Sequence, residues 1–155
     1  MMNYQAVVKP VQLVLYFLIA SQGAFYLVGF YKVLSAMPSR DFILLRKTAD
    51  PVMAPKLKVL YLLTLVMSIV AILVNFRSWS SVSLVLFTAA TLCLLADILI
   101  ALTVSEPLNK VITALQEPFK GAAAIQRKWL EQIYIRAFLS AGGFLMLLFT
   151  YVKRS

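Results

Sequence analysis

The chain has 155 residues, 62% of them hydrophobic, with a mean hydropathy of +0.88, too apolar for a soluble domain of this length. Its 15 lysines and arginines outnumber 6 acids, for a net charge of +9. In a chain built of long apolar runs that excess orients a membrane protein, so nucleic-acid binding is set aside.

Four runs are each long enough to span a bilayer: residues 11–36, 57–76, 81–104 and 133–152. A spanning helix needs about 20 apolar residues at about 1.5 Å rise each. The runs are continuous and do not alternate, which excludes β-barrel strands. The sequence therefore predicts an all-α polytopic membrane protein, a single membrane domain over residues 1–155 built as a four-transmembrane-helix up-down bundle.

The first run has too long an apolar core for a cleavable signal, and it places Gln22, Gly29 and Lys32 on one stripe. In the long connection after it, Ser39 is placed to cap a short helix carrying Phe42, Leu45 and Ala49, which Asp50-Pro51 should break. The second run carries Thr64 and Ser68 at i, i+4, a spacing that suits bonding to their own helix backbone. Arg77–Ser80 is then short enough to demand a tight helical hairpin.

In the third run Cys93, Asp97 and Ala101 follow one another at i+4. Beyond it Ser105 is placed to cap an interfacial helix with Leu108, Val111, Ile112 and Leu115 on one face, ended by Pro118. Short interfacial helices are thus expected in both long connections. The fourth run aligns Arg136, Ser140 and Gly143, small residues that let helices approach closely. Trp79 and Trp129 suit an interfacial aromatic belt, with Tyr134 and Tyr151 beside them. The two halves share this layout without residue-level identity, so a bundle without duplication accounts for them.

Eleven of the 15 basic residues fall in the two long connections and their adjoining helix ends. The positive-inside rule puts both connections in the cytoplasm and both termini outside, in a cell inner (plasma) membrane. The lipid bilayer is then the first partner, with anionic headgroups drawn to the basic side.

Histidine is absent and Cys93 is the single cysteine, so no imidazole-ligated metal, thiolate cluster or internal disulfide can form. No metal and no cofactor is expected. Asp97 carries the sharpest signal. It lies about seven residues, or about 10 Å, inside the third run, where an ionised carboxylate facing lipid costs a few kcal/mol. It must face the bundle interior, be protonated, or pair with a cation, for which Arg136 and Lys32 are the candidates at similar depth. With Glu106 these residues outline a polar pocket open to the cytoplasmic side, which Tyr26, Tyr31, Trp129 and Tyr134 could line.

Pro107-Leu108-Asn109 after the third run and Trp129, six residues, then Arg136 entering the fourth resemble the anthrone-oxygenase-like family of small four-helix bacterial membrane proteins. Gly23 in a run ending Lys32-Val33-Leu34, the Pro38-Ser39-Arg40-Asp41-Phe42 connection, and Pro51 and Pro55 agree with it. The resemblance implies the four-helix fold and points to Pro107, Asn109, Trp129 and Arg136. Family members often carry a histidine shortly before that arginine, where this chain reads Gln132-Ile133-Tyr134-Ile135.

Three functions stay open on the residues. The first is a non-catalytic membrane subunit or lipophilic-ligand-binding module, whose partners would be a hydrophobic small molecule or another membrane protein. The second, implied by the resemblance, is a cofactor-poor membrane enzyme acting on a hydrophobic aromatic or quinone-like substrate. The third is a small homo-oligomeric transporter with Asp97 as its proton or cation site.

Overall fold

A computed structural model describes residues 4–75 and 79–152. Phe76, Arg77 and Ser78 lie outside the described residues, and with them half of the expected Arg77–Ser80 link, as do Lys153, Arg154 and Ser155. The described chain is all-α. It runs through α1 (Tyr4–Phe25), a π-helical segment (Tyr26–Phe30), α2 (Tyr31–Ala36), α3 (Ser39–Asn75), α4 (Ser81–Ile100), a second π segment (Ala101–Ser105), α5 (Glu106–Ala114) and α6 (Ala122–Val152). Four helical stretches are long and apolar enough to cross a membrane: Val7–Ala36, Ser39–Asn75, Ser81–Ala114 and Ala122–Val152.

The helices outrun the apolar runs that announced them. α3 reaches back to Ser39 and is not broken at Asp50-Pro51, contrary to the sequence expectation. Pro51 and Pro55 stand one turn apart on an exposed face, so the backbone bonds they remove fall on one side while the other side stays laddered. The turn at 105 also departs from expectation. Ser105 caps nothing, because the backbone passes helically from α4 through the π segment into α5. Leu108 and Ile112 are buried, while Val111 is 49% exposed and Leu115 has already turned extended, so α5 ends before Pro118. In the turn that follows, Gly121 takes φ +76°, a conformation that favours glycine.

α6 is the central helix. It packs along α4 and α1, α1 packs on α3, and α3 and α4 meet far less. Close approach is set by small residues. A Cβ at Gly143 would meet Tyr16 Oη at 1.9 Å, and one at Gly23 would meet Ser140 Oγ at 2.2 Å. The small-residue stripe expected on the fourth run is thus a packing seam, whereas a Cβ at Gly29 would meet nothing. Around that seam Tyr16, Ile19, Phe87, Ala90, Leu94 and Leu147 form one core cluster, and Tyr16 Oη donates to the Ala90 carbonyl at 2.8 Å. Thr64 and Ser68 bond their own helix as expected, at 2.7 and 2.8 Å, and Ser68 also accepts from Gln12 of α1 at 3.1 Å.

Neither tryptophan is presented outward as a belt residue. Trp79 is 9% exposed and sits against Phe87, with ring centroids 4.4 Å apart. Trp129 is 2% exposed and joins Tyr26, Phe42 and Ile112 in a second core cluster. That cluster lies at the end of the bundle where the two long connections meet. There Ser39 Oγ donates to Gln126 Oε1 at 2.6 Å, Gln126 Nε2 donates to the Leu34 and Met37 carbonyls, and Lys47 Nζ donates to the Leu115 carbonyl.

Candidate functional site

Because α3 and α4 meet little while each packs on other helices, a gap is left between them. It forms a cavity of about 710 Å³, walled by α3 from Arg46 to Leu65, by Ile98–Ala114 opposite, and by Trp129, Gln132, Ile133 and Arg136 of α6 at the back. Gln22 and Tyr26 close one corner. Most of the wall is apolar, and its rim residues Met53, Leu62 and Leu102 are also exposed on the outer surface. Both π segments deliver wall residues, Tyr26 from the first and Ala101, Leu102 and Ser105 from the second. A π turn inserts an extra residue and re-aims the side chains that follow.

Behind the back wall lies Asp97, 1% exposed and not itself lining the cavity. Its carboxylate is held on both oxygens. Arg136 Nε donates to Oδ1 at 2.5 Å and Tyr61 Oη donates to Oδ2 at 2.6 Å. The guanidinium also reaches Tyr61 Oη and Ser105 Oγ, each at 3.1 Å. Ser105 Oγ in turn donates to Gln132 Oε1. Four helical elements are thereby tied through one guanidinium whose three nitrogens each have a partner.

A second buried ion pair stands nearer the connections. Arg46 Nη2 donates to Asp50 Oδ1 one turn along α3, and the guanidinium lies over the Trp129 ring, 4.2 Å from its centroid. Trp129 Nε1 donates to Asn109 Oδ1 at 3.2 Å, which pins α5 to α6. Across the gap Lys58 Nζ of α3 meets Glu106 Oε2 of α5 at 3.0 Å, and Lys110 meets Oε1 of the same carboxylate at 3.6 Å.

The expected site residues therefore divide. Glu106, Asn109, Trp129 and Arg136 line the cavity, and Asp97 backs it. Lys32 is exposed and absent from the wall, so the choice of cation for Asp97 falls to Arg136. Lys32 points away because the helix departs from regular geometry at Gly29 (φ 175°, ψ −23°), which breaks the stripe that linked it to Gln22. Tyr26 lines the cavity as expected, but Tyr31 and Tyr134 pack against each other outside it, with ring centroids 5.1 Å apart and planes inclined by 50°. Pro107 is exposed and not in the wall.

Five residues of the site escaped sequence reasoning: Arg46, Asp50, Tyr61, Ser105 as a network member, and Gln132. Arg46 and Asp50 at i, i+4 had a readable ion-pair spacing, masked by reading Asp50-Pro51 as a helix end. For Tyr61 and Gln132 the linear chain carries no comparable signal. Among the described residues, no group of three or more acids and cysteines is placed to hold a metal ion. No family model, no curated protein and no solved structure matches the chain.

Proposed function

We propose that this chain is a multi-pass membrane protein that binds a lipophilic molecule in the cavity between α3 and α4. The observation carrying this reading is the cavity itself. At about 710 Å³ it falls within the range of about 300–1,000 Å³ usual for small-molecule sites, with apolar walls and a few convergent polar groups. Its apolar rim opens sideways through the bundle, where a molecule dissolved in lipid could enter without crossing water.

Membrane insertion is supported by the outer surface. Leu73 is 75% exposed, Val85 66% and Phe149 62%, and such a continuous apolar exterior has no stable place in water. We read the end that holds the two long connections as cytoplasmic, following the basic asymmetry, so the polar end of the cavity faces that side. Both oxygens of Asp97 are already held, by Arg136 and Tyr61, which favours a structural ion pair over a transporter's proton site. The resemblance to the anthrone-oxygenase-like family remains a proposal. The bond that joins Asn109 to Trp129, two residues the resemblance points to, is compatible with it.

Binding is tested with purified protein in nanodiscs and an environment-sensitive fluorescent lipophile. Ala101→Phe places a ring inside the wall and should weaken binding at least tenfold with little change in thermal stability. Unchanged binding by that variant, or no saturable binding by the parent chain, would remove the proposal. Orientation is tested separately by an impermeant thiol reagent on intact cells after Cys93→Ala. Cysteines replacing Lys47 and Lys120 should be shielded, and one replacing Ser155 should label. Labelling of both connections from outside would invert the assignment.

A further inference from the structure

We infer that the cavity takes an amphiphile with an anionic head, held at the mouth by Lys58 and Lys110, an inference that rests on reading the cavity as a lipophile site. Among the described residues four cations line the cavity, and two of them are spent on buried carboxylates. Arg46 meets Asp50 on the wall, and Arg136 meets Asp97 behind it. The other two, Lys58 of α3 and Lys110 of α5, share the carboxylate of Glu106. The lining and the carboxylate behind it therefore leave one positive charge in excess, and it stands at the mouth.

Reach and accessibility set these two lysines apart from the buried pairs. Lys58 Nζ lies 3.0 Å from Glu106 Oε2 and Lys110 Nζ lies 3.6 Å from Oε1, so both ammoniums gather around one carboxylate-sized group. Their side chains are 58% and 77% exposed, against 31% for Glu106. An ammonium has several N–H donors, and one carboxylate cannot occupy those of two. Donors are thus left over, on accessible side chains, where an entering head group would arrive.

The cavity is also amphipathic along its length. Lys58 stands at the start of the apolar run 57–76, while Glu106 and Lys110 stand just beyond the run that ends at 104. That level is where lipid head groups meet the apolar core. From Lys58 the wall continues along α3 past Leu62 to Leu65, about 10 Å deeper at helical rise, with Ile98 and Leu102 opposite. A head anchored at the two lysines leaves its tail on those apolar side chains. Hydrogen bonds to an ionised group are roughly twice as strong as neutral ones, so an anion gains there over a hydroxyl. An ammonium head would meet like charge.

The test uses purified protein in nanodiscs of zwitterionic lipid at low salt. Oleyl sulfate, oleyl alcohol and oleylamine, at matched mole fractions in the bilayer, compete with the fluorescent lipophile. The sulfate should displace it at about a tenfold lower mole fraction than the alcohol, with the amine weakest. Phosphatidylglycerol doped in at the same fractions tells the source: parity with the sulfate indicates a bilayer lipid, weaker displacement a free single chain, and either supports the head. Lys58→Gln together with Lys110→Gln should erase the advantage of the sulfate. Lys56→Gln, at an exposed position outside the wall, should keep it. Glu106→Gln removes the competing carboxylate and should strengthen sulfate binding about threefold. A loss of affinity there would show that the lysines serve only Glu106 and would overturn the head site. An alcohol or amine that equals the sulfate on the parent chain, or an advantage that survives the double change, overturns it too, while the lipophile site stands. If the probe itself does not saturate, both this inference and the proposed function fall.

Discussion

Two buried ion pairs stand beside the same cavity, and they are finished differently. Asp97 and Arg136 close on each other with Tyr61 and Ser105 filling every remaining carboxylate oxygen and guanidinium nitrogen. Arg46 and Asp50 satisfy one atom each and leave Nε and Oδ2 open. The difference follows from what surrounds them. The first pair joins α4 to α6, at the most heavily packed helix contact in the bundle, and neighbouring elements can reach it. The second lies along a single helix beside a gap; α6 brings the Trp129 ring over its guanidinium, but no side chain bonds Arg46 Nε or Asp50 Oδ2. The closed network ties four helical elements, whereas the open pair joins two positions one turn apart on α3.

The sharpest way to break that contrast is to open the closed pair. Asp97→Ala leaves a buried guanidinium without its carboxylate and should cost about 3–5 kcal/mol of stability, measured by denaturation in detergent. Adding Arg136→Met removes the stranded charge and should recover part of the loss. If the single change leaves stability untouched, the tie is not structural. Tyr61→Phe comes next. It deletes one hydrogen bond to an ionised carboxylate while keeping the ring, and should cost about 1.5–3 kcal/mol. The smallest effect belongs to Asp50→Asn, which keeps the shape and an acceptor oxygen for Arg46 Nη2 but strands the charge of a largely buried guanidinium, and should cost about 1–2 kcal/mol. A loss at Asp50 equal to that at Asp97 would erase the distinction between the two pairs.

Much of the architecture was legible because it follows from local composition. Continuous apolar runs must become helices where backbone polar groups have no other partners, so four long helices were foreseeable. The Asp97–Arg136 contact was half foreseeable. A carboxylate that deep demanded a cation, but the sequence allowed Lys32 and Arg136 equally, and the kink at Gly29 turned Lys32 away. Helix continuity misled in the other direction. Pro51 and Ser105 are local signals for an end and a start, yet both were overridden, because propensity worth about 1–3 kcal/mol yields to the packing of Phe42, Ile43, Leu108 and Ile112.

By itself, then, the sequence determined the helix class, the number of long apolar helices, the lack of imidazole and paired-thiol chemistry, and the need to neutralise Asp97. Each of these follows from residue type and local spacing, which act within one element. The tertiary structure alone decided that α3 and α4 would part to leave a cavity. It also decided that Tyr61 and Ser105 would complete one ion pair, and that Gln132 would be left with only its donor end. Those outcomes depend on which side chains from distant segments arrive at the same few ångströms, a property of how helices pack and not of any stretch read alone.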